Sequence, residues 1–258
     1  VFCNPAPSGI LEAMSKTTES YAKKAIKPPE RVQSMFDVVA KRYDLLNRLM
    51  TMGRDQRWRR IAAKSTAADT NSLVLDACTG TGDLALAVNA ITGSKVVGVD
   101  FSRDMLDLAG EKIKKTDACN DITFEWASVD DLPFEDGIFN AITIGFGLRN
   151  TPDYRAVLRE FYRVTKPGGR LVILESSHPE VKLVNAPYTW FITSVVPFLG
   201  KIFSSDYQAY KYLAESMQVF PPQKELASMM REAGWTDVTY RNFFLGAVAL
   251  HVGVKNSD

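Results

Sequence analysis

Val74-Leu75-Asp76-Ala77-Cys78-Thr79-Gly80-Thr81-Gly82-Asp83 is the stretch on which the fold turns. Its apolar start reads as a β-strand. Gly80 and Gly82 then permit a tight turn and close approach of backbone to a ligand before a helix opens. Further on, Val96-Val97-Gly98-Val99-Asp100 is a second short apolar run, and it ends in an acid. A carboxylate at the tip of such a strand can accept hydrogen bonds from the two hydroxyls of a ribose. Short apolar runs recur at 73–75, 96–99, 122–126, 141–144 and 171–174, with helical patterns at 83–91, 103–115 and 153–165 between them. Strands alternating with helices imply βαβ units and a parallel sheet, and right-handed crossovers make it a doubly wound α/β fold. Two later β-rich runs, 238–244 and 247–254, are separated by Leu245-Gly246. They read as a hairpin, so one late strand runs antiparallel to the rest. Ligands of such sheets sit beyond the C-terminal ends of the strands, where Asp76, Gly80, Gly82 and Asp100 all fall.

Composition bounds the rest. A chain of 258 residues is one large α/β domain or two small ones, and it can bury a core without disulfides or metals. Its 31 basic and 30 acidic residues leave a net charge of +1, which argues against a dedicated nucleic-acid binder. Cys3, Cys78 and Cys119 are an odd set with no CxxC pair, which suggests a reducing, cytoplasmic setting and no metal site. No apolar run is long enough to span a bilayer. The first residues lack a secretory pattern, and the absence of arginine before Arg31, with Glu12 and Glu19, disfavours a transit peptide. Met14 is a candidate natural start. Residues 1–30 are expected to form a mobile tail, 31–70 an N-terminal helical cap, and 71–258 the domain that carries the chemistry. Within the cap, Val32, Met35, Phe36, Val39, Tyr43, Leu46 and Met50 recur at helical spacing. Arg54, Arg57, Arg59, Arg60 and Lys64, with Trp58 among them, are expected to form a solvated helix face.

Gly80-x-Gly82-x-x-Ala85 also satisfies a dinucleotide fingerprint, so the ligand must be decided by charge. Asp76 ends the first strand, where an anion would repel a pyrophosphate but attract an ammonium, directly or through water. Asp83 adds a second negative charge at the helix start, where a phosphate would otherwise dock. A zwitterionic sulfonium cofactor, S-adenosylmethionine, fits this field. The plainer alternative is that Asp76 caps the helix. After the fourth strand the chain reads Gly145-Phe146-Gly147-Leu148-Arg149-Asn150, unlike the Asn/Asp-Pro-Pro-aromatic turn of amino methylation on bases. None of the cysteines follows a proline, as the nucleophile of cytosine C5 methylation usually does.

Several segments together resemble the UbiE/MenG/Coq5 family of C-methyltransferases in menaquinone and ubiquinone synthesis, over about residues 30–255. They are Phe36-Asp37 with Tyr43-Asp44-Leu45-Leu46-Asn47, Trp58-Arg59-Arg60, Thr79-Gly80-Thr81-Gly82-Asp83, Gly98-Val99-Asp100-Phe101-Ser102 with Met105-Leu106, and Leu132-Pro133-Phe134. Phe146-Gly147-Leu148-Arg149-Asn150 with Asp153, Lys166-Pro167-Gly168-Gly169 and the terminal Gly246 to Gly253 stretch complete the set. The resemblance implies a seven-stranded class I methyltransferase (Rossmann-like) sheet. It implies that Thr81 and Asp100 contact the cofactor and that Ser128 and Val129 lie beside the adenine. The family commonly has Asp or Asn where this chain has Ser128. Ser176-Ser177-His178-Pro179 likewise departs from Glu-Phe-Ser-x-Pro, which bears on the shape of the substrate pocket.

The implied reaction moves a methyl from sulfonium to a ring carbon of a prenylated quinol, with demethylmenaquinol favoured over a ubiquinone precursor. Such a carbon is a poor nucleophile until a neighbouring hydroxyl loses its proton. Arg149 is the expected catalytic residue, lowering the pKa of that hydroxyl or of an intervening water. The alternative is an ion pair between Arg149 and Asp153. Tyr43, Asn47 and Asn150 are the expected substrate contacts, and His178 is a weaker candidate base than a surface histidine. The aromatic stretch 187–203 is too short and interrupted to span a bilayer. It reads either as buried packing or as a lid for a prenyl tail that touches the membrane surface. A homodimer is compatible with the sequence. A soluble-metabolite methyltransferase and a non-catalytic scaffold are the rival functions.

Overall fold

The computed structural model describes residues 47, 48, 50–180, 182–195 and 207–257. Tyr43, the tail and most of the expected first amphipathic helix lie outside these. In chain order the main elements are α1 (Asp55–Ser65), β1 (Leu73–Ala77), α2 (Asp83–Thr92), β2 (Lys95–Asp100), α3 (Arg103–Ile113), β3 (Ile122–Trp126), β4 (Phe139–Gly145), α4 (Tyr154–Val164), β5 (Thr165–Ser176), α5 (Lys182–Trp190), α6 (Tyr207–Val219), α7 (Gln223–Glu232), β6 (Thr236–Phe243) and β7 (Val248–Val254).

The strands form one seven-stranded sheet in the order β3-β2-β1-β4-β5-β7-β6. β1 pairs in parallel with β2 and β4, β2 with β3, and β4 with β5. β7 is the antiparallel strand, lying between β5 and β6. The turn into it runs through Phe244, Leu245 and Gly246 with φ of 47°, 58° and 95°, a left-handed path that costs the two non-glycine residues strain. The hairpin and the antiparallel late strand expected from the sequence are both present.

Side chains alternate across the central strands, so each face of the sheet has its own core. Leu75, Ile142, Ile144 and Ile173 point to one face and pack with Val157, Leu158 and Phe161 of α4 and with Met230 of α7. Val74, Ala141, Val172 and Leu174 point to the other, against Leu84, Ala85 and Val88 of α2 and Trp58, Ala62 and Ala63 of α1. α4 shows why these helices form where they do. Val157, Leu158, Phe161 and Val164 recur at helical spacing and are buried, and Asp153 caps the start by accepting from the amides of Arg155 and Ala156 at 2.9 and 3.0 Å. Asp153 is therefore a helix cap and not the partner of Arg149.

The basic run in α1 is not a uniformly solvated face. Arg54, Arg57, Arg60 and Lys64 are exposed, but Trp58 and Arg59 are buried on the opposite side. The cause is helical spacing: Asp55, Trp58, Arg59, Ala62 and Ala63 make the stripe that faces the sheet.

β2 and β3 lie on one side of β1, and β4 and β5 on the other. The strand order therefore reverses between β1 and β4. A crevice opens at such a switch point, beyond the carboxyl ends of the strands.

Candidate active site

Three turns meet at that crevice: the glycine loop after β1, the tip of β2, and the turn after β4. Asp100 ties the first two together. Its Oδ2 accepts from the Gly80 amide and its Oδ1 from the Ser102 amide, both at 2.9 Å. Both oxygens accept from backbone amides, which holds the carboxylate at the tip of β2 facing the glycine loop. Gly80 has φ of 54°, and a Cβ there would meet nothing within 4 Å, so the loop backbone borders open space. Gly98 is required for another reason. A Cβ there would stand 2.6 Å from the Phe124 ring and 3.0 Å from Thr79 Oγ1. The loop packs against β2 only because that position is bare. A strand-tip carboxylate beside an open, glycine-lined loop fits the ribose of S-adenosylmethionine.

Asp76 is wholly buried. Thr79 donates to its Oδ2 at 2.6 Å and Thr143, from β4, to its Oδ1 at 2.7 Å. Burial pushes its carboxyl up to about 6, against the two hydroxyls and the charge of Arg59. It is a buried carboxylate held between the glycine loop and β4. The structure corrects the role expected of Asp83. Lys112 Nζ lies 2.7 Å from its Oδ1 and Gln56 Nε2 donates to its Oδ2 at 3.2 Å. Burial raises the Asp83 carboxyl, yet the Lys112 hydrogen bond and charge outweigh that and hold it below the ordinary value. Its negative charge is compensated, so it adds little to the field at the helix start. Lys112 also donates to Thr81 Oγ1 at 3.0 Å, which fixes the loop between its glycines.

The shifted Asp76 makes a stability prediction. A pKa raised from 3.8 to about 6 disfavours the folded state once the unfolded carboxylate ionises. Both states are protonated below about 4 and the cost is absent; it grows as pH rises from about 4 to 6 and is constant above, on the order of 2–3 kcal/mol. Asp76→Asn is expected to stabilise the ligand-free protein at pH 8 by about 1 kcal/mol or more, and the gain should vanish near pH 4. Urea unfolding at several pH values measures this, and a gain independent of pH would refute the assignment.

Beside the crevice lies a mainly apolar cavity of about 110 Å³. Trp58, Phe146, Tyr188, Ile192, Leu213, Met217, Phe244 and Val248 supply apolar wall, and Asn47, Thr51, Asp55, Arg149 and Ser176 supply polar atoms. Arg149 is 7% exposed and its guanidinium lies 2.5 Å from Glu175 Oε1, at the end of β5. It also donates to the Phe146 carbonyl at 2.7 Å, which curls the turn after β4 around it. Glu175 Oε1 further accepts from the amide and hydroxyl of Ser176 at 2.7 and 2.9 Å. Asp55 is 1% exposed, with Thr51 Oγ1 donating to it at 3.1 Å. The field of Arg149 reaches three phenols. Burial raises Tyr188 to about 12 and raises Tyr154 and Tyr212 too, while Arg149 pulls against burial in every case. Cys78 joins the two regions. Burial, then Asp100, Asp76 and Glu175, lift its thiol well above the ordinary value. Gly147 leaves no room for a Cβ against Cys78, so the turn that carries Arg149 packs directly on the glycine loop.

The sequence-expected residues divide accordingly. Asp76, Gly80, Thr81, Gly82 and Asp100 gather at the crevice, and Val129 is buried in the adjoining core. Ser128 is exposed and bonds Asp130. Arg149 and Asn47 line the cavity, whereas the Asn150 side chain reaches back to the Phe146 carbonyl at 3.5 Å. His178 Nε2 stands 2.7 Å from the Phe220 carbonyl and does not line the cavity. Sequence reasoning missed Glu175, Asp55, Thr143 and Arg59. The stripe 55, 58, 59 and 62 in α1 was the available signal for two of these.

A family model described as the ubiE/COQ5 methyltransferase family matches residues 23–255. The demethylmenaquinone methyltransferase of Clavibacter sepedonicus is 43% identical over 229 residues, 89% of this chain and 92% of that protein. That of Lactiplantibacillus plantarum is 40% identical over 228 residues, 88% of this chain and 96% of that one. The ubiquinone/menaquinone biosynthesis C-methyltransferase UbiE of Geotalea daltonii is 41% identical, over 88% of this chain and 97% of its own length. Among solved structures, a complex of the Haloferax volcanii Trm112 methyltransferase activator with a methyltransferase gives a TM-score of 0.61 at 19% identity, covering 86% of this chain and 97% of that one. The geranyl diphosphate C-methyltransferase of Streptomyces coelicolor gives 0.58 at 15% identity, covering 78% and 80%. Those two likenesses concern the fold. With a match across nearly its whole length, the chain belongs to the ubiE/COQ5 methyltransferase family.

Proposed function

We propose that this protein methylates a ring carbon of a prenylated quinol, with demethylmenaquinol as the favoured acceptor. The observation that carries the reading is an apolar cavity beside the glycine loop into which one buried guanidinium projects. S-adenosylmethionine supplies an electrophilic methyl whose departure leaves a neutral thioether. The chain must hold a ring in reach of that methyl, exclude water, and favour the phenolate. Trp58, Phe146 and Ile192 hold and dry the ring. Arg149 favours the phenolate, because a fixed cation in a low-dielectric site stabilises negative charge as it develops. Glu175 keeps that cation in place and its own charge satisfied. The methylated carbon then loses its hydrogen as a proton, so one proton leaves per turnover. Asn47, Tyr43 and Asn150 are the proposed substrate contacts, and Ser128 and Val129 the proposed neighbours of the adenine. The names of the relatives support the substrate class. Purified protein supplied with S-adenosylmethionine and chemically reduced short-chain demethylmenaquinone tests the reading: a product heavier by one methyl, seen by mass spectrometry, is expected. Methylation of a soluble catechol in place of any quinol would overturn it.

A prenyl tail must reach the cavity from a bilayer, and exposed apolar side chains support contact with one. Met52, Trp190, Phe244 and Leu245 are large apolar residues left 62%, 63%, 48% and 68% exposed. Arg54 stands 5.5 Å over the Phe244 ring and donates to the Met52 sulfur at 3.6 Å. Among the described residues no helix is long and apolar enough to cross a membrane. Apolar tips with the Arg54 cation beside them instead suit the surface of an anionic bilayer. Met52→Asp/Leu245→Asp, at two exposed residues that do not line the cavity, is expected to lose sedimentation with phosphatidylglycerol vesicles while keeping turnover on a short-chain quinol. Unchanged sedimentation would remove these side chains from the reading.

A further inference from the structure

We infer that Arg59 is the clamp for the carboxylate at the amino-acid end of the methyl donor, an inference that rests on S-adenosylmethionine being the cofactor. Arg59 is 7% exposed in the middle of α1, and its Nε is buried without a hydrogen-bond partner. Asp55 Oδ2 lies 3.7 Å from that nitrogen, beyond hydrogen-bond length. A buried guanidinium is costly unless its donors are met, and most buried polar groups are met. The carboxylates around it do not close the account: Asp76 is engaged by Thr79 and Thr143, and Asp83 by Lys112 and Gln56. Both still feel the charge of Arg59, which lowers both carboxyls.

The position is as informative as the missing acceptor. Gln56 Nε2 bonds Asp83 Oδ2 at 3.2 Å, which docks the first turn of α1 against the start of α2, where the glycine loop ends. Arg59 follows one turn later. Its Nη1 comes within 3.5 Å of where a Cβ would stand on Gly145, the last residue of β4. Its guanidinium also lies 5.7 Å from the Phe146 ring, which lines the cavity. Arg59 therefore stands over the switch point between β1 and β4, between the glycine loop and the substrate cavity. Asp100, which would hold the ribose, marks the β2 side of the same edge. A ligand laid along that edge from Asp100 brings its amino-acid end toward β4 and the methyl toward the cavity. A guanidinium can meet a carboxylate in two parallel charge-assisted hydrogen bonds, and the Nε of Arg59 is a donor without a partner. Asp76 and its neighbours supply the opposite field for the ammonium.

The test compares three ligands by calorimetry on the full chain: S-adenosylhomocysteine, 5′-methylthioadenosine, which lacks the amino acid, and decarboxylated S-adenosylhomocysteine, which lacks only the carboxylate. Wild type is expected to favour S-adenosylhomocysteine over the decarboxylated form by roughly 10- to 100-fold. Arg59→Gln should erase that preference while leaving 5′-methylthioadenosine binding unchanged. Arg59→Lys keeps the charge beside Asp55, Asp76 and Asp83, and with it the fold, but loses the fork; an intermediate preference is expected. Equal losses for all three ligands in both variants would make Arg59 structural and overturn the inference alone. So would a wild type that binds the acid and its decarboxylated form equally. A wild type that binds none of the three would overturn the methyl-donor reading and this inference together.

Discussion

Replacing Arg149 with alanine is expected to lower kcat by on the order of 10²–10³-fold, the usual effect of removing one preorganised charge from a developing anion. Binding of S-adenosylhomocysteine should stay close to wild type, because the cofactor edge is organised by Asp100 and not by Arg149. The same substitution has a second, structural effect. Glu175 is 1% exposed and would be stranded without its cation, at a cost of about 3–5 kcal/mol. Loss of turnover could then reflect loss of fold. Arg149→Met/Glu175→Gln removes both charges together and is expected to recover most of the stability, since a buried pair can often be replaced by uncharged groups at little cost. It should recover none of the turnover. Unfolding curves, cofactor calorimetry and steady-state rates on the three proteins separate the effects. If the double variant turns over a quinol near the wild-type rate, Arg149 is structural and the proposed phenolate stabilisation fails. The pH profile gives a finer readout. If Arg149 lowers the pKa of the ring hydroxyl, the residual rate of the double variant should climb with pH beyond the point where the wild-type rate levels off.

How far this site could be read in advance depends on where each partner lies. The glycine loop and the strand-tip Asp100 were legible because the chemistry of each is local, and the turn from Phe146 to Asn150 because it resembles a family motif. Glycine spacing and an acid ending a run of valines are written in consecutive residues. Partners that arrive from another strand were not. Asp153 was a natural partner for Arg149 at a spacing of four, but its carboxylate is consumed by the amides of α4. The ion pair forms instead with Glu175, 26 residues away, because β4 and β5 are neighbours in register and end together. The same reason hid Thr143, which reaches Asp76 across the β1–β4 pairing. Arg59 was hidden differently. Charge along α1 drew attention to the basic run as a whole, whereas its helical phase separates Arg59 from Arg57 and Arg60. Reading phase before charge would have placed Trp58 and Arg59 on the buried side.

Asp100→Asn should weaken S-adenosylhomocysteine binding almost as much as Asp100→Ala, by on the order of 100-fold for each. The reason is that both carboxylate oxygens act as acceptors, Oδ2 for Gly80 N and Oδ1 for Ser102 N. Asparagine can present one oxygen, so its amide must point hydrogens at the other backbone N–H. That repulsion pushes either the glycine loop or the start of α3 out of place, against the Lys112 bond to Thr81 that holds the loop and the Ser102 cap on the Met105 amide that holds α3. A loss of stability of about 1–3 kcal/mol is expected to accompany it. The ligand series that tests Arg59 distinguishes the two ends of the crevice here as well. Asp100 variants should weaken 5′-methylthioadenosine and S-adenosylhomocysteine alike, since both carry the ribose, while Arg59 variants should weaken only the ligand with a carboxylate. An Asp100→Asn protein that binds 5′-methylthioadenosine as wild type does would mean that the β2 tip neither holds the loop nor meets the ribose, and the orientation of the ligand along the strand edge would have to be reversed.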